Sequence, residues 1–302
     1  MEFFDTLPPL RRHVEELRAQ GLRIGLVPTM GYLHEGHISL MRLLRPRCDR
    51  LLLSVFVNPA QFGPREDLER YPRDLEHDLA LCRAEGVDAV LAPAAEEVYP
   101  PGYATWVEPG PVAGRYCGAS RPGHFRGVLS IVLRLFAWTR CHCAAFGAKD
   151  AQQLWLVRRM IRDFGLDVEL VEGPTVREAD NLALSSRNVN LDAAGRQSAL
   201  AISRALARGE GALRAGAAPP KALAPMLEIL ANEPGLQLDY LHIADWASLD
   251  SRAGAPVMPD WRGPSPLETS PGAADEELVI LAAAHVGRTR LIDNVRLRPA
   301  TP

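Results

Sequence analysis

The chain of 302 residues contains no apolar run approaching the roughly 20 residues needed to cross a bilayer. Its first residues, Met1-Glu2-Phe3-Phe4-Asp5, lack a basic segment followed by an apolar core. The expectation is a cytoplasmic protein with no membrane partner. Cysteine is scarce: Cys48, Cys82, Cys117, Cys141 and Cys143 cannot all pair, and their spacing does not suggest a secreted disulfide framework. Cys141-His142-Cys143 is a compact potential metal cluster, but no second Cys/His cluster completes a zinc site. A loop entering a buried strand is the plainer reading. Nor is there a long Lys/Arg run. With 34 Lys+Arg against 37 Asp+Glu, the net charge is -3, which leaves no electrostatic footprint for nucleic acid.

A 47% hydrophobic content places the chain among ordinary soluble globular proteins. Leu22–Val27 and Leu51–Val57 read as buried strands, and apolar residues recur at helical spacing in Ile38–Leu44 and Leu75–Glu85. Strand character returns at Val87–Leu91, at Ala144–Phe146 and at Leu166–Val171, with a helical pattern over Gln152–Phe164. Alternating strand and helix predicts a parallel α/β sheet. Beyond residue 175 the composition shifts to Ala-rich helices over Ala193–Ala215 and Ala222–Ala231, then strands at Leu238–Ile243, Leu278–Ala282 and Thr289–Ile292. The expected organisation is a domain over residues 1–175 and a smaller α+β domain over 176–302. Arg252–Asp275 carries five prolines and is expected to be an exposed loop, neither a regular helix nor a central strand.

Five segments carry chemistry. Val27–His37 joins the first predicted strand to its helix, where backbone N–H groups at a helix start can meet anions, and His34-x-Gly36-His37 lies at that mouth. Imidazoles there would stabilise charge growing on a phosphate. Asn58-Pro59-Ala60-Gln61 follows the second strand and opens on the same sheet edge, with a glutamine suited to hydroxyls and a carboxylate. Arg121–Gly127 is a basic loop offering a guanidinium fork, and plain surface charge explains such a loop equally well. Gly147-Ala148-Lys149-Asp150 is another strand-to-helix turn, in which Asp150 and Gln153 share a face or form a capping arrangement. Finally, Ser185-Ser186-Arg187 puts two hydroxyls and a guanidinium in one turn, as needed to hold a triphosphate.

In this order the motifs resemble the pantothenate synthetase family, the pantoate:β-alanine ligases. The match runs from Leu22 to Asp192 and resumes at Asp239-Tyr240 and Gly287–Asn294. The resemblance implies a Rossmann-like nucleotide-binding domain whose smaller C-terminal partner closes over the active site, and a homodimer formed through the first domain. It implies ATP and Mg2+ as cofactors, with pantoate and β-alanine as substrates joined through pantoyl adenylate. By the same resemblance His34, His37 and Lys149 are catalytic, and Met30, Gly147, Asp150, Val176, Ser185, Ser186 and Arg187 join His37 and Lys149 around ATP. Asn58, Gln61, Tyr71, Arg121, His124 and Gln153 would hold the acid and the amine, and Asp78 matches an acidic position near magnesium. Ala151 stands where the family has tyrosine, Ala148 where glutamate is common and Asn181 where glycine is common, while Thr139–Cys143 replaces a Pro-Asp turn. These departures leave open a related adenylate-forming ligase or hydrolase for another acid. The His-x-Gly-His turn alone would also fit a nucleotidylyltransferase.

Overall fold

The computed structural model describes residues 1–63, 68–69, 71–256 and 277–298. Its chain divides into two units, Met1–Ala148 with Gln152–Val176, and Lys149–Ala151 with Arg177–Pro302. Three residues of the first half, Lys149–Ala151, thus group with the second unit.

Short apolar runs of the first unit become strands β1 (Glu2–Phe4), β2 (Ile24–Thr29), β3 (Arg50–Val55), β4 (Ala89–Leu91), β5 (Cys143–Gly147) and β6 (Glu169–Gly173). All pairings are parallel, in the order β1-β4-β3-β2-β5-β6. The helices are α1 (Leu7–Ala19), α2 (Glu35–Leu44), α3 (Leu75–Ala84), the single-turn α4 (Ala95–Val98) and α5 (Cys117–Ser120), α6 (His124–Thr139) and α7 (Ala151–Asp163). Ile24, Leu26, Val27, Leu51, Leu52 and Leu53 are almost fully buried, as strands covered on both faces require. The chain builds outward from β2 to β3 and β4, then returns to lay β5 on the other side of β2. That reversal creates a switch point, where the carboxyl ends of the strands open a crevice suited to ligands.

The second unit packs α8 (Ala193–Arg214) and α9 (Pro219–Ala231) on an antiparallel sheet of order β10-β9-β7-β8. Its strands are β7 (Leu236–Asp245), β8 (Ser251–Pro256), β9 (Leu278–Val286) and β10 (Thr289–Leu297). Small residues explain the close contact: Ala199, Ala201 and Ala205 on α8 and Ala282 and Ala284 on β9 share one core.

One expectation needs correction. Arg252–Pro256 belongs to strand β8 rather than to a loop, at the sheet edge where proline is tolerated; residues 257–275 of that segment lie outside the described residues. α6 follows the Arg121–Gly127 loop and is buried on most sides, so it has little polar stripe to mark its period.

Candidate active site

In the first unit, every backbone N–H from Gly31 to His34 is taken by a side chain. Gly31 donates to Thr29 Oγ1 at 3.1 Å, Tyr32 and Leu33 to the two oxygens of Asp78 at 2.9 and 2.7 Å, and His34 to His37 Nδ1 at 3.3 Å. His34 also caps α2, its Nδ1 accepting from Gly36 N–H at 3.1 Å. These four amides, which precede the helix start at Glu35, are committed within the protein. With Nδ1 accepting on both rings, the neutral imidazoles carry their protons on Nε2. The ring centroids lie 4.2 Å apart.

The magnesium expectation for Asp78 needs correction. This carboxylate on α3 is 1% exposed, and each oxygen accepts from a backbone donor. It does not fit a metal ligand, and no cluster of His, Cys, Asp or Glu among the described residues is arranged to hold a metal.

A second assembly is built around Gln61, in the turn after β3. Asn58 Oδ1 accepts from Tyr99 O–H at 2.7 Å and from Ala60 N–H at 3.3 Å; its Nδ2 donates to Gly127 O at 3.2 Å and to Gln61 Oε1 at 3.0 Å. Ala60 N–H can only donate and the Gly127 carbonyl can only accept, so chemistry fixes which end of the Asn58 amide is oxygen. The Gln61 oxygen is then assigned to Asn58, and Nε2 turns the other way, 3.0 Å from Met30 Sδ. One Nε2–H is thus donated to Met30 Sδ, and the second is left as a donor. Asn58, 1% exposed and with all its hydrogen-bonding capacity used internally, orients Gln61 rather than touching a substrate, which corrects the expectation that it binds one directly. Glycine is required at 127, where a Cβ would lie 2.2 Å from Ala60 O.

Arg121 and His124 join the same assembly. The Gln61 carbonyl accepts from His124 Nδ1 at 2.8 Å, so Nε2 is the acceptor for Arg121 Nη1 at 3.0 Å. Tyr71 packs edge-on against Phe62, with ring centroids 5.9 Å apart. On α7 the two glutamines separate by role. Gln152 is buried, its Oε1 accepting from Cys117 N–H at 3.0 Å and its Nε2 donating to Val112 O and Arg115 O, both at 2.8 Å. Gln153 is the half-buried neighbour. Gly147 ends β5 in register with Gly173 of β6, and half-buried Val176 follows β6.

In the second unit, half-buried Lys149 precedes exposed Asp150, and the Lys149 carbonyl accepts from Asn294 Nδ2 at 2.7 Å. The adjoining Asp293 receives both arms of Arg177, at 2.7 and 3.0 Å. Ser185 caps the short 3-10 turn Ser186–Asn190 and accepts from Arg187 N–H at 3.3 Å, keeping its own hydroxyl proton to donate. Glu178 holds that segment, accepting from Asn188 Nδ2 and Arg196 Nη2, both at 2.6 Å. Asn181 has φ +72, which explains how it stands where glycine is common: asparagine is one of the few other residues that enters the left-handed region readily.

The structure thus brings together Met30, Asn58, Gln61, Arg121 and His124, pairs His34 with His37, and holds Ser185–Arg187 in one capped turn. Sequence reasoning missed Tyr99, Gly127, Glu178, Arg196, Asp293 and Asn294 as supports. Asp293 and Asn294 lay within the matched Gly287–Asn294 segment. Tyr99 left no signal, being 41 positions from its partner Asn58.

The family profile described as Pantoate-beta-alanine ligase matches residues 2–296. A pantothenate synthetase from Pelotomaculum thermopropionicum is 46% identical over 294 residues, 97% of this chain and 98% of that protein. Another from Moorella thermoacetica is 46% identical over 298 residues, 98% and 99% of the two chains. Among solved structures, pantothenate synthetase from Thermus thermophilus superposes with a TM-score of 0.84 at 42% identity, covering 98% of this chain and 99% of that one. Pantoate-beta-alanine ligase from Francisella tularensis, complexed with beta-gamma ATP and beta-alanine, superposes with a TM-score of 0.75 at 29% identity, covering 98% and 97%.

Proposed function

The chain belongs to the pantoate-beta-alanine ligase family, and from that premise we propose how its residues divide the work of condensing pantoate with β-alanine. In the first step a pantoate carboxylate oxygen attacks the α-phosphorus of ATP, giving pantoyl adenylate and releasing pyrophosphate. In the second, the amine of β-alanine attacks the acyl carbon, the C–O bond to AMP breaks, and pantothenate forms. The amine gives up its proton as the amide is made.

Charge accumulates on phosphate oxygens in the first step, and preorganised donors are what that transition state needs. The Nε2–H groups of His34 and His37 meet this need, with Lys149, Ser185, Ser186 and Arg187 neutralising the triphosphate. Met30, Gly147, Asp150 and Val176 border the nucleotide. Gln61 and Gln153 hold pantoate, while Tyr71, Arg121 and His124 serve the acid and amine end. The observation that carries the acid assignment is the one-way orientation of the Gln61 amide, which offers a donor to an oxygen-rich ligand. Mg2+ belongs to this reading as the counter-ion of ATP, coordinated by the nucleotide's phosphates with several waters retained. No residue described here is assigned to it.

A homodimer formed through the first domain and a cytoplasmic location complete the reading. Among the described residues, no helix is long and apolar enough to cross a membrane. Omitting each reactant in turn tests the chemistry. Pantoate and MgATP alone should release pyrophosphate, and AMP with pantothenate should appear once β-alanine is added; ADP as product would overturn the reading. Sedimentation equilibrium tests the dimer.

A further inference from the structure

The segment that delivers His34 is unusual in being shaped almost wholly by side chains from elsewhere. Thr29 Oγ1 donates to Ser54 O at 2.7 Å and accepts from Gly31 N–H, which fastens the segment to the end of β3. Gly31 and Tyr32 then take left-handed conformations in succession, with φ +81 and +52. For tyrosine this is an unfavourable backbone, retained only where surrounding structure holds it. What holds it is Asp78, which accepts from Tyr32 and Leu33 N–H across 46 and 45 positions of sequence. The fit is tight: a Cβ on Gly31 would lie 2.8 Å from Asp78 Oδ2 and 2.9 Å from Val55 Cγ1. Leu33 is directly followed by His34, whose N–H is tied to His37. The path from the buried carboxylate to both imidazoles is therefore short and continuous.

We propose that Asp78 is a positioning residue for adenylation, holding the Gly31–Leu33 turn so that His34 and His37 face the phosphates with Nε2–H, and that it is not a magnesium ligand. A carboxylate accepts at both oxygens, whereas an asparagine would turn an NH2 group against one of the two backbone donors. The catalytic part of this inference rests on the proposed roles of His34 and His37; the structural part does not.

Two variants of the full-length protein test it, D78N and G31A, the second disturbing the same turn while leaving the carboxylate in place. Pantoate-dependent pyrophosphate release should fall at least about tenfold in kcat for both, less than the roughly hundredfold that removing one preorganised donor costs, because the donors are displaced rather than removed. The Mg2+ concentration giving half-maximal rate should stay at the wild-type value. A tenfold or larger rise in that concentration confined to D78N would overturn the proposal in favour of a metal role, and wild-type kcat in both variants would overturn it outright. Nitrogen-15 spectra of the labelled imidazoles give a readout independent of turnover. The wild type should show the Nε2–H tautomer at His34 and His37, and both variants should lose its uniformity. Unchanged imidazole signals in both variants would sink the positioning role even if the wild type proved inactive with pantoate, an outcome that would count against the proposed reaction instead. Should D78N not fold, G31A carries the same two measurements.

Discussion

Replacing Gln61 by glutamate alters one atom and reverses what the side chain offers. In the wild type, Oε1 accepts from Asn58 Nδ2 at 3.0 Å and Nε2 faces away as a donor. A glutamate keeps the first bond and substitutes an acceptor for the donor. Against a carboxylate or hydroxyl oxygen of the acid, the variant forfeits a hydrogen bond to a charged or polar group worth about 1.5–3 kcal/mol. At 1.4 kcal/mol per tenfold, this is a loss of about one to two orders of magnitude in kcat/KM for pantoate. Repulsion between like charges adds to it. The fold should be little affected, since the Asn58 contact and the hydrogen bond from His124 Nδ1 to the Gln61 carbonyl both survive. The assay is pyrophosphate release over a pantoate series at saturating ATP, then over an ATP series at fixed pantoate, with thermal unfolding as control. Kinetics like those of the wild type, or a defect expressed only in KM for ATP, would refute the orientation derived for Gln61.

His37→Ala and Lys149→Ala should each leave the unfolding midpoint near wild type and depress adenylation by about two orders of magnitude, the scale of one lost charge stabiliser; near-normal pyrophosphate release in either would contradict its role. His242 has its pKa pushed down to about 4 by burial, so the unfolded chain takes up its proton first as pH falls. That contribution is complete above about pH 6.5 and is lost toward pH 4, amounting to about 3 kcal/mol at most; denaturant unfolding of wild type against His242→Asn across this window should show the difference narrowing as pH falls. Asn181→Ala should destabilise by about 1–2 kcal/mol because φ is +72 there, whereas Asn181→Gly should be close to neutral, both read from denaturant midpoints.

Much of the fold was legible because its physical causes are local. Buried parallel strands need apolar runs, so Leu22–Val27, Leu51–Val57 and Ala144–Phe146 stood out, overlapping the strands Ile24–Thr29, Arg50–Val55 and Cys143–Gly147, and the turns after them carried the candidate site. Where local signal vanished, the reading failed. α6 is apolar on nearly every side, and β8 forms despite Pro256 because an edge strand can end on a proline. The site residues were recognised by type and order, which mark what chemistry is available but not what each group is doing. Asp78 and Asn58 have the right chemistry for metal and substrate; burial commits both to the protein's own backbone and to a neighbouring amide.

By itself, then, the sequence determined the reaction family and which residues could carry charge or accept it, since these follow from side-chain identity in a fixed order. Only the tertiary structure decided direction. That Gln61 turns Nε2 away from Asn58 depends on Tyr99, Ala60 and Gly127 meeting at Asn58, and that the two imidazoles carry their protons on Nε2 depends on Nδ1 being used within the segment that Asp78 holds. A hydrogen bond has a sense as well as a partner, and its sense is fixed by groups distant in sequence that come together only on folding.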